Sequence, residues 1–185
     1  MKTYAIGDIH GAYKALVQCF QRSKFDYSKD RLIVMGDVVD GYPLSNSIEQ
    51  AATEIITFDA SIQNPDRRVS KPNMFIKGDE ILIFDHELAF SFLELIGKID
   101  DPWEQSAFSS CVRGHFFYRQ LKGKSLALER FAQRIKSMDD NFLRSLRSAV
   151  PGEWNDDKID DILNHLSKIV KNADKFIESV RREII

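Results

Sequence analysis

Short apolar runs separated by polar turns fill the first 43 residues, and helical stripes replace them afterwards. TYAI (Thr3–Ile6) is apolar, partly β-branched and stops at Gly7, which predicts a buried strand. In AYKALVQCFQRS, Leu16, Cys19 and Phe20 recur at helical spacing. RLIVMGD predicts a second buried strand, again ending in Gly-Asp. The order β-loop-α-loop-β is one unit of an α/β layer, and in such sheets functional loops follow the carboxyl ends of the strands. NSIEQAATEIITFDASI then predicts a helix, with Ile48, Ala52, Ile55, Ile56 and Ile62 on its buried stripe. QNPDRRVSKPN is a polar loop, and MFIKGDEILIFDHE predicts a hairpin because two β-rich runs flank Gly78-Asp79.

The pattern beyond the hairpin is helical only. ELAFSFLELIG is apolar, LALERFAQRIKSM carries Leu128, Phe131, Ala132 and Ile135, and DDNFLRSLRSAV ends at Pro151-Gly152. The last predicted helix is capped by Asn155, with Asp156 and Asp157 at the positive end of its dipole. Ile159, Ile162, Leu163, Leu166, Ile169, Val170, Ala173, Phe176, Ile177 and Val180 hold one apolar face of it for about six turns.

Composition sharpens this picture in a few places. With 43% hydrophobic and 29% charged residues, the chain of 185 residues can bury a core. A formal net charge of -2 gives no basis for binding nucleic acid or an anionic membrane. The apolar run at the N-terminus is too short for a signal peptide, and no run reaches the length of a membrane span. A cytoplasmic protein is expected. Cys19 and Cys111 lack metal-ligand spacing and are expected as small buried apolar residues rather than as a disulfide.

Two stretches carry chemistry. GDIHG (Gly7–Gly11) sets Asp8 and His10 two apart after the first strand, and GDVVDG sets Asp37 after the second. A carboxylate and an imidazole so placed can hold a divalent transition metal. A second carboxylate at the neighbouring strand end can reach the same site, where metal ions clamp a phosphate and activate water. This stretch resembles the calcineurin-like metallophosphoesterases, in particular the phosphoprotein phosphatase branch, over residues 1–43. The resemblance implies Asp8 and His10 on one metal (Mn, Fe or Zn), Asp37 as a bridge, and Asp40 in a supporting loop. The family's Gly-Asn-His segment is absent; FDHE (Phe84–Glu87) is the nearest substitute.

The second stretch is NPDRRVSKPNMFIKGDEILIFDHE. A hairpin would bring Asp66, Asn73 and Asp85 together, the parts that phosphoryl transfer from a magnesium nucleotide requires. Residues 44–185 resemble the C-lobe of the HipA-like kinases in the order and spacing of these motifs. The resemblance implies Asp66 as the catalytic aspartate, Asp85 on magnesium with ATP, and an amide ligand at position 71. Lys71 stands there instead, with Asn73 two residues on, and an ammonium repels a dication.

The expected fold is therefore α+β. An N-terminal β-α-β unit (1–43) precedes a mostly helical, kinase-like C-lobe with one β-hairpin (44–185). The expected function is that of a HipA-like kinase remnant joined to a phosphatase opening, with weak or absent phosphoryl transfer. The alternatives are a metal-dependent phosphoesterase hydrolysing phosphate esters and a non-catalytic helical interaction module. A nucleotide or phosphate ester is the expected ligand, and self-association or a partner chain would complete the half-sites.

Overall fold

A computed structural model of the chain describes residues 1–6, 13–34, 46–94, 101–152 and 157–185. The chain forms two compact units, Met1–Pro43 and Leu44–Ile185.

In the first unit, β1 (Thr3–Ile6) and β2 (Arg31–Val34) pair in parallel around α1 (Tyr13–Ser23), with Thr3 opposite Arg31 and Ile6 opposite Val34. The strands are not buried as their apolar sequences suggest. Thr3 and Ala5 are exposed, Tyr4 and Ile6 are half-buried, and Ile33 is exposed too. A two-stranded sheet has too little area to enclose both of its faces. Aromatic rings supply the packing: Phe25 lies 4.8 Å from Phe20, 5.3 Å from Tyr4 and 5.3 Å from Tyr27 between centroids. The Asp30 carboxylate closes the turn before β2, accepting from the backbone N–H groups of Lys2 at 2.7 Å and Asp26 at 3.2 Å. Cys19, expected inside, is exposed, because the half-buried side of α1 runs through Leu16, Val17 and Phe20.

The second unit is α+β and mostly helical. It opens with α2 (Asn46–Ser61), whose Ala52, Ile56 and Ala60 are buried. The hairpin follows as β3 (Met74–Lys77) and β4 (Glu80–Ile83), antiparallel with Met74 opposite Ile83 and Lys77 opposite Glu80. Gly78 opens the two-residue turn at a φ of 59°, a left-handed conformation that costs glycine nothing. The segment after it makes a turn and a short 3-10 helix at Ser91–Glu94 rather than the start of a long helix. Then come α3 (Gln105–Gly114), α4 (Tyr118–Leu121), α5 (Glu129–Lys136), α6 (Asp140–Ala149), α7 (Asp157–Lys171) and α8 (Ala173–Ile184). Asp139 caps α6 by accepting from the Phe142 N–H at 2.8 Å.

The core lies where α2, α3 and α8 meet, with Ile56, Phe108, Val112, Phe176 and Val180 inside it. Phe108 and Phe176 meet edge to face at 5.4 Å. Glu183 is buried there: it accepts from Gln105, from Ser109 at 2.8 Å and from Arg113, so α8 is tied to α3 by a satisfied carboxylate.

The single long last helix of the sequence pattern is in fact two. Asn172 breaks it at φ -117°, ψ 31°. Its side-chain amide donates to the Lys168 carbonyl at 3.0 Å, competing for a helical acceptor. The apolar stripe survives the break, through Ile169, Ala173, Phe176, Ile177, Val180 and Ile184. The cap expected at Asn155 and Asp156 lies outside the described residues. Among the described residues no helix is long and apolar enough to cross a membrane.

Candidate functional site

Asp8, His10, Asp37 and Asp40 lie outside the described residues. The elements that lead into them are described. Ile6 and Val34 are register partners in a parallel pair, so the chain enters both Gly-Asp motifs from the same end of the sheet. Gly7 follows directly on β1, and Gly36 comes two residues after β2.

The other candidates gather in the second unit, in the loop between α2 and the hairpin and in the chain leaving β4. The framework is a buried ion pair. Asp59 sits on the apolar side of α2, between Ile56 and Ala60, and is buried. Arg67 is fully buried and donates from Nε to Asp59 Oδ2 at 2.6 Å. Its Nη1 donates to the Asn73 carbonyl at 2.5 Å, and its Nη2 donates to His86 Nε2 at 3.0 Å. One guanidinium therefore pins the helix, the loop and the segment after β4 to each other. Asn64 donates to Asp59 Oδ1 at 3.1 Å.

His115 completes the set. Its Nδ1 accepts from the Phe117 N–H at 3.0 Å, so Nε2 carries the proton and donates to Asp59 Oδ2 at 3.1 Å. Burial opposes charging this imidazole more strongly than Asp59 favours it, and its pKa falls below the usual histidine value. Asp59 is pulled the other way by burial, but hydrogen bonds from His115 and Arg67 outweigh that and hold its carboxyl below the usual range.

His165, on α7, donates from its ring to the Ser61 carbonyl at 2.8 Å and stacks on Phe92 at 4.5 Å. Burial lowers its pKa too. For both histidines the unfolded chain binds a proton that the folded chain refuses, so stability falls as pH drops through the ordinary histidine value of 6.5. Urea unfolding of the second unit should therefore give a stability that falls as the pH is lowered below about 6.5. A stability that stays flat across that range would contradict this account.

On this framework sits Asp66. The structure brings it together with Lys71, Asn73 and Asp85. Its buried carboxylate accepts from Lys71 Nζ at 2.6 Å and Asn73 Nδ2 at 3.1 Å on one oxygen, and from Arg68 Nη2 at 2.8 Å on the other. Burial alone would raise the Asp66 pKa, but the hydrogen bonds from Lys71, Arg68 and Asn73 hold it below the usual carboxylate range. Asn73 and Asp85 both adopt left-handed backbone, with φ of 47° and 55°, a conformation these two residue types tolerate better than most. Asp66, Asp85 and Glu87 present carboxylate oxygens within 4.8 Å of one another, an all-oxygen set suited to a hard divalent cation.

Asn73 turns its NH₂ to Asp66, because a carboxylate can only accept. Both oxygens of Asp66, the catalytic aspartate that the kinase resemblance implies, are engaged by side chains of this loop.

Of the two adjacent arginines, Arg68 is the ion partner of Asp66, and Arg67 points inward to Asp59. The sequence signal for the inner pair was present: a single carboxylate, Asp59, interrupting the stripe of Ala52, Ile56 and Ala60 requires a buried partner.

Comparison with known proteins places this geometry in context. Residues 1–177 match the family described as calcineurin-like phosphoesterase. The symmetrical bis(5'-nucleosyl)-tetraphosphatase of Dechloromonas aromatica (strain RCB) is 49% identical over 45 residues, which are 24% of this chain and 16% of that protein. That of Coxiella burnetii (strain Dugway 5J108-111) is 38% identical over 63 residues, 34% of this chain and 19% of that protein. That of Cellvibrio japonicus (strain Ueda107) is 44% identical over 43 residues, 23% and 16% respectively. The chain thus spans less than a fifth of the length of these curated relatives. No solved structure matches. The family match runs through most of the region expected to be a kinase lobe, and nothing in these comparisons supports a HipA-like kinase there.

Proposed function

The chain belongs to the calcineurin-like phosphoesterases, and from that premise we propose that it is a metal-dependent hydrolase of phosphate esters, with Asp8, His10 and Asp37 as its metal ligands. The observation that carries the reading is the strand pairing that brings the chain into GDIHG and GDVVDG from one end of a parallel sheet. In open α/β sheets that end is where ligands bind. The donor set of two carboxylates and one imidazole suits Mn, Fe or Zn. A bound metal of this kind supplies a Lewis acid for the phosphoryl group and a water of lowered pKa. The printed names of the relatives make a dinucleoside polyphosphate the substrate class to try first.

Asp8, His10 and Asp37 suffice for one metal, and a second would need further donors, from a partner chain or from residues around His86. Hydrolysis of a dinucleoside tetraphosphate and of p-nitrophenyl phosphate should appear with Mn²⁺ and vanish with a chelator. Hydrolysis that proceeds equally in chelator, or none with Mn²⁺, Fe²⁺ or Zn²⁺, would overturn the proposal.

A further inference from the structure

The point at which Asp66, Asp85 and Glu87 converge already holds a cation that belongs to the chain. Lys71 Nζ lies 2.6 Å from Asp66 Oδ2, 3.3 Å from Asp85 Oδ2 and 3.7 Å from Glu87 Oε1. An ammonium has three donors, and here each has a carboxylate within ion-pairing distance. The three carboxylates that face one another within 4.8 Å are the same three that surround Nζ.

We propose that Lys71 is the resident counter-ion of this carboxylate cluster, and that its ammonium keeps divalent cations out of the second unit. The inference does not rest on the phosphoesterase reading, which concerns the first unit.

Three observations support it. Asp66 is buried, and a buried carboxylate requires a cation or several donors close by. Its hydrogen bond holds the Lys71 ammonium above the ordinary lysine pKa, followed by that of Asp85, so the lysine is charged wherever the carboxylates are. The lysine also reaches the cluster from a short, fixed loop. Arg68 and Lys71 bond through their backbones in both directions, at 3.0 and 3.1 Å, which sets the lysine Cα beside the cluster before the side chain is placed. A tethered ammonium so positioned has a high effective concentration and outcompetes a free ion. An oxygen-lined, divalent-ready arrangement is thereby made self-sufficient.

The consequence is that removing the ammonium creates a metal site. The test uses the full chain as Lys71→Ala and Lys71→Met, the second keeping most of the aliphatic stem, each with and without Asp85→Asn. Mn²⁺ is the probe. Free Mn²⁺ is measured by electron paramagnetic resonance and thermal unfolding is followed by circular dichroism. Binding by the first unit is common to all variants and cancels in the Asp85 comparison.

The parent chain should bind the same amount of Mn²⁺ with or without Asp85→Asn. Both lysine variants should gain one site, at least about tenfold tighter than any Asp85-dependent binding in the parent. That site should be absent from the double variants. Should the lysine variants lose their structure, saturating Mn²⁺ should restore the parental unfolding transition in the single variants but not in the doubles. Asp85-dependent Mn²⁺ binding by the parent overturns the proposal. So do folded lysine variants that gain no site, or unfolded ones that Mn²⁺ leaves unfolded.

Discussion

Replacing Arg67 with methionine is expected to destabilise the second unit by about 3–5 kcal/mol, the usual cost of breaking a buried ion pair by removing one partner. Methionine has a comparable reach and fills most of the space, so cavity formation contributes little. The loss is electrostatic. Asp59 would keep His115 and Asn64 but lose a guanidinium at 2.6 Å, in a place where solvent cannot replace it. The Asn73 carbonyl and the His86 ring nitrogen would lose their donor as well. Against a domain stability of about 5–15 kcal/mol, such a loss is enough to unfold a marginal unit.

Asp59→Leu made together with Arg67→Met should recover part of the stability, because no charge is then left buried alone. Urea unfolding followed by circular dichroism reads both. A single variant that loses less than about 1 kcal/mol, the worth of an ordinary hydrogen bond, would show that Arg67 is not the framework of the loop.

The second large effect concerns the first unit. Asp37→Asn is expected to lower Mn²⁺-dependent hydrolysis by at least about a hundredfold. Losing a group that merely orients a metal ligand costs about 10–100-fold, and a ligand should cost more. An amide has the shape of the carboxylate but no charge, so the variant tests the ligand's charge rather than its volume. Its unfolding transition should stay with the parent's, since Asp37 follows β2 and takes no part in the pairing of Thr3–Ile6 with Arg31–Val34. Mn²⁺ titrated into the parent should saturate at one ion per chain. Two tight ions lost together in Asp37→Asn would mean that the chain supplies a complete binuclear site by itself. Full activity in Asp37→Asn would remove Asp37 from the metal altogether.

What the sequence determined by itself is the part of the protein governed by near neighbours along the chain. Gly78-Asp79 between two β-rich runs sets the hairpin, since only a residue free to adopt positive φ turns there without strain. The stripe of Ile169, Ala173, Phe176, Ile177 and Val180 marks a buried helical face whether or not the helix is continuous. The two Gly-Asp pairs, one residue from Ile6 and two from Val34, mark the phosphoesterase opening, because each follows its strand directly in the sequence.

Tertiary structure decided everything that depended on which charges lose their water. Arg67 and Arg68 are adjacent in the chain, and nothing local assigns one to Asp59 and the other to Asp66. The assignment follows from the direction in which the loop faces the core: the inward arginine meets the carboxylate on α2, and its neighbour turns out to Asp66. Lys71 follows the same logic. Read in sequence it is a cation where a metal ligand was expected; in the fold it is a cation where a metal would sit. The exposure of Cys19 was likewise settled by packing. A periodic pattern reports which face is apolar, but only the assembled core decides how much of that face is covered and which polar groups must find partners inside it.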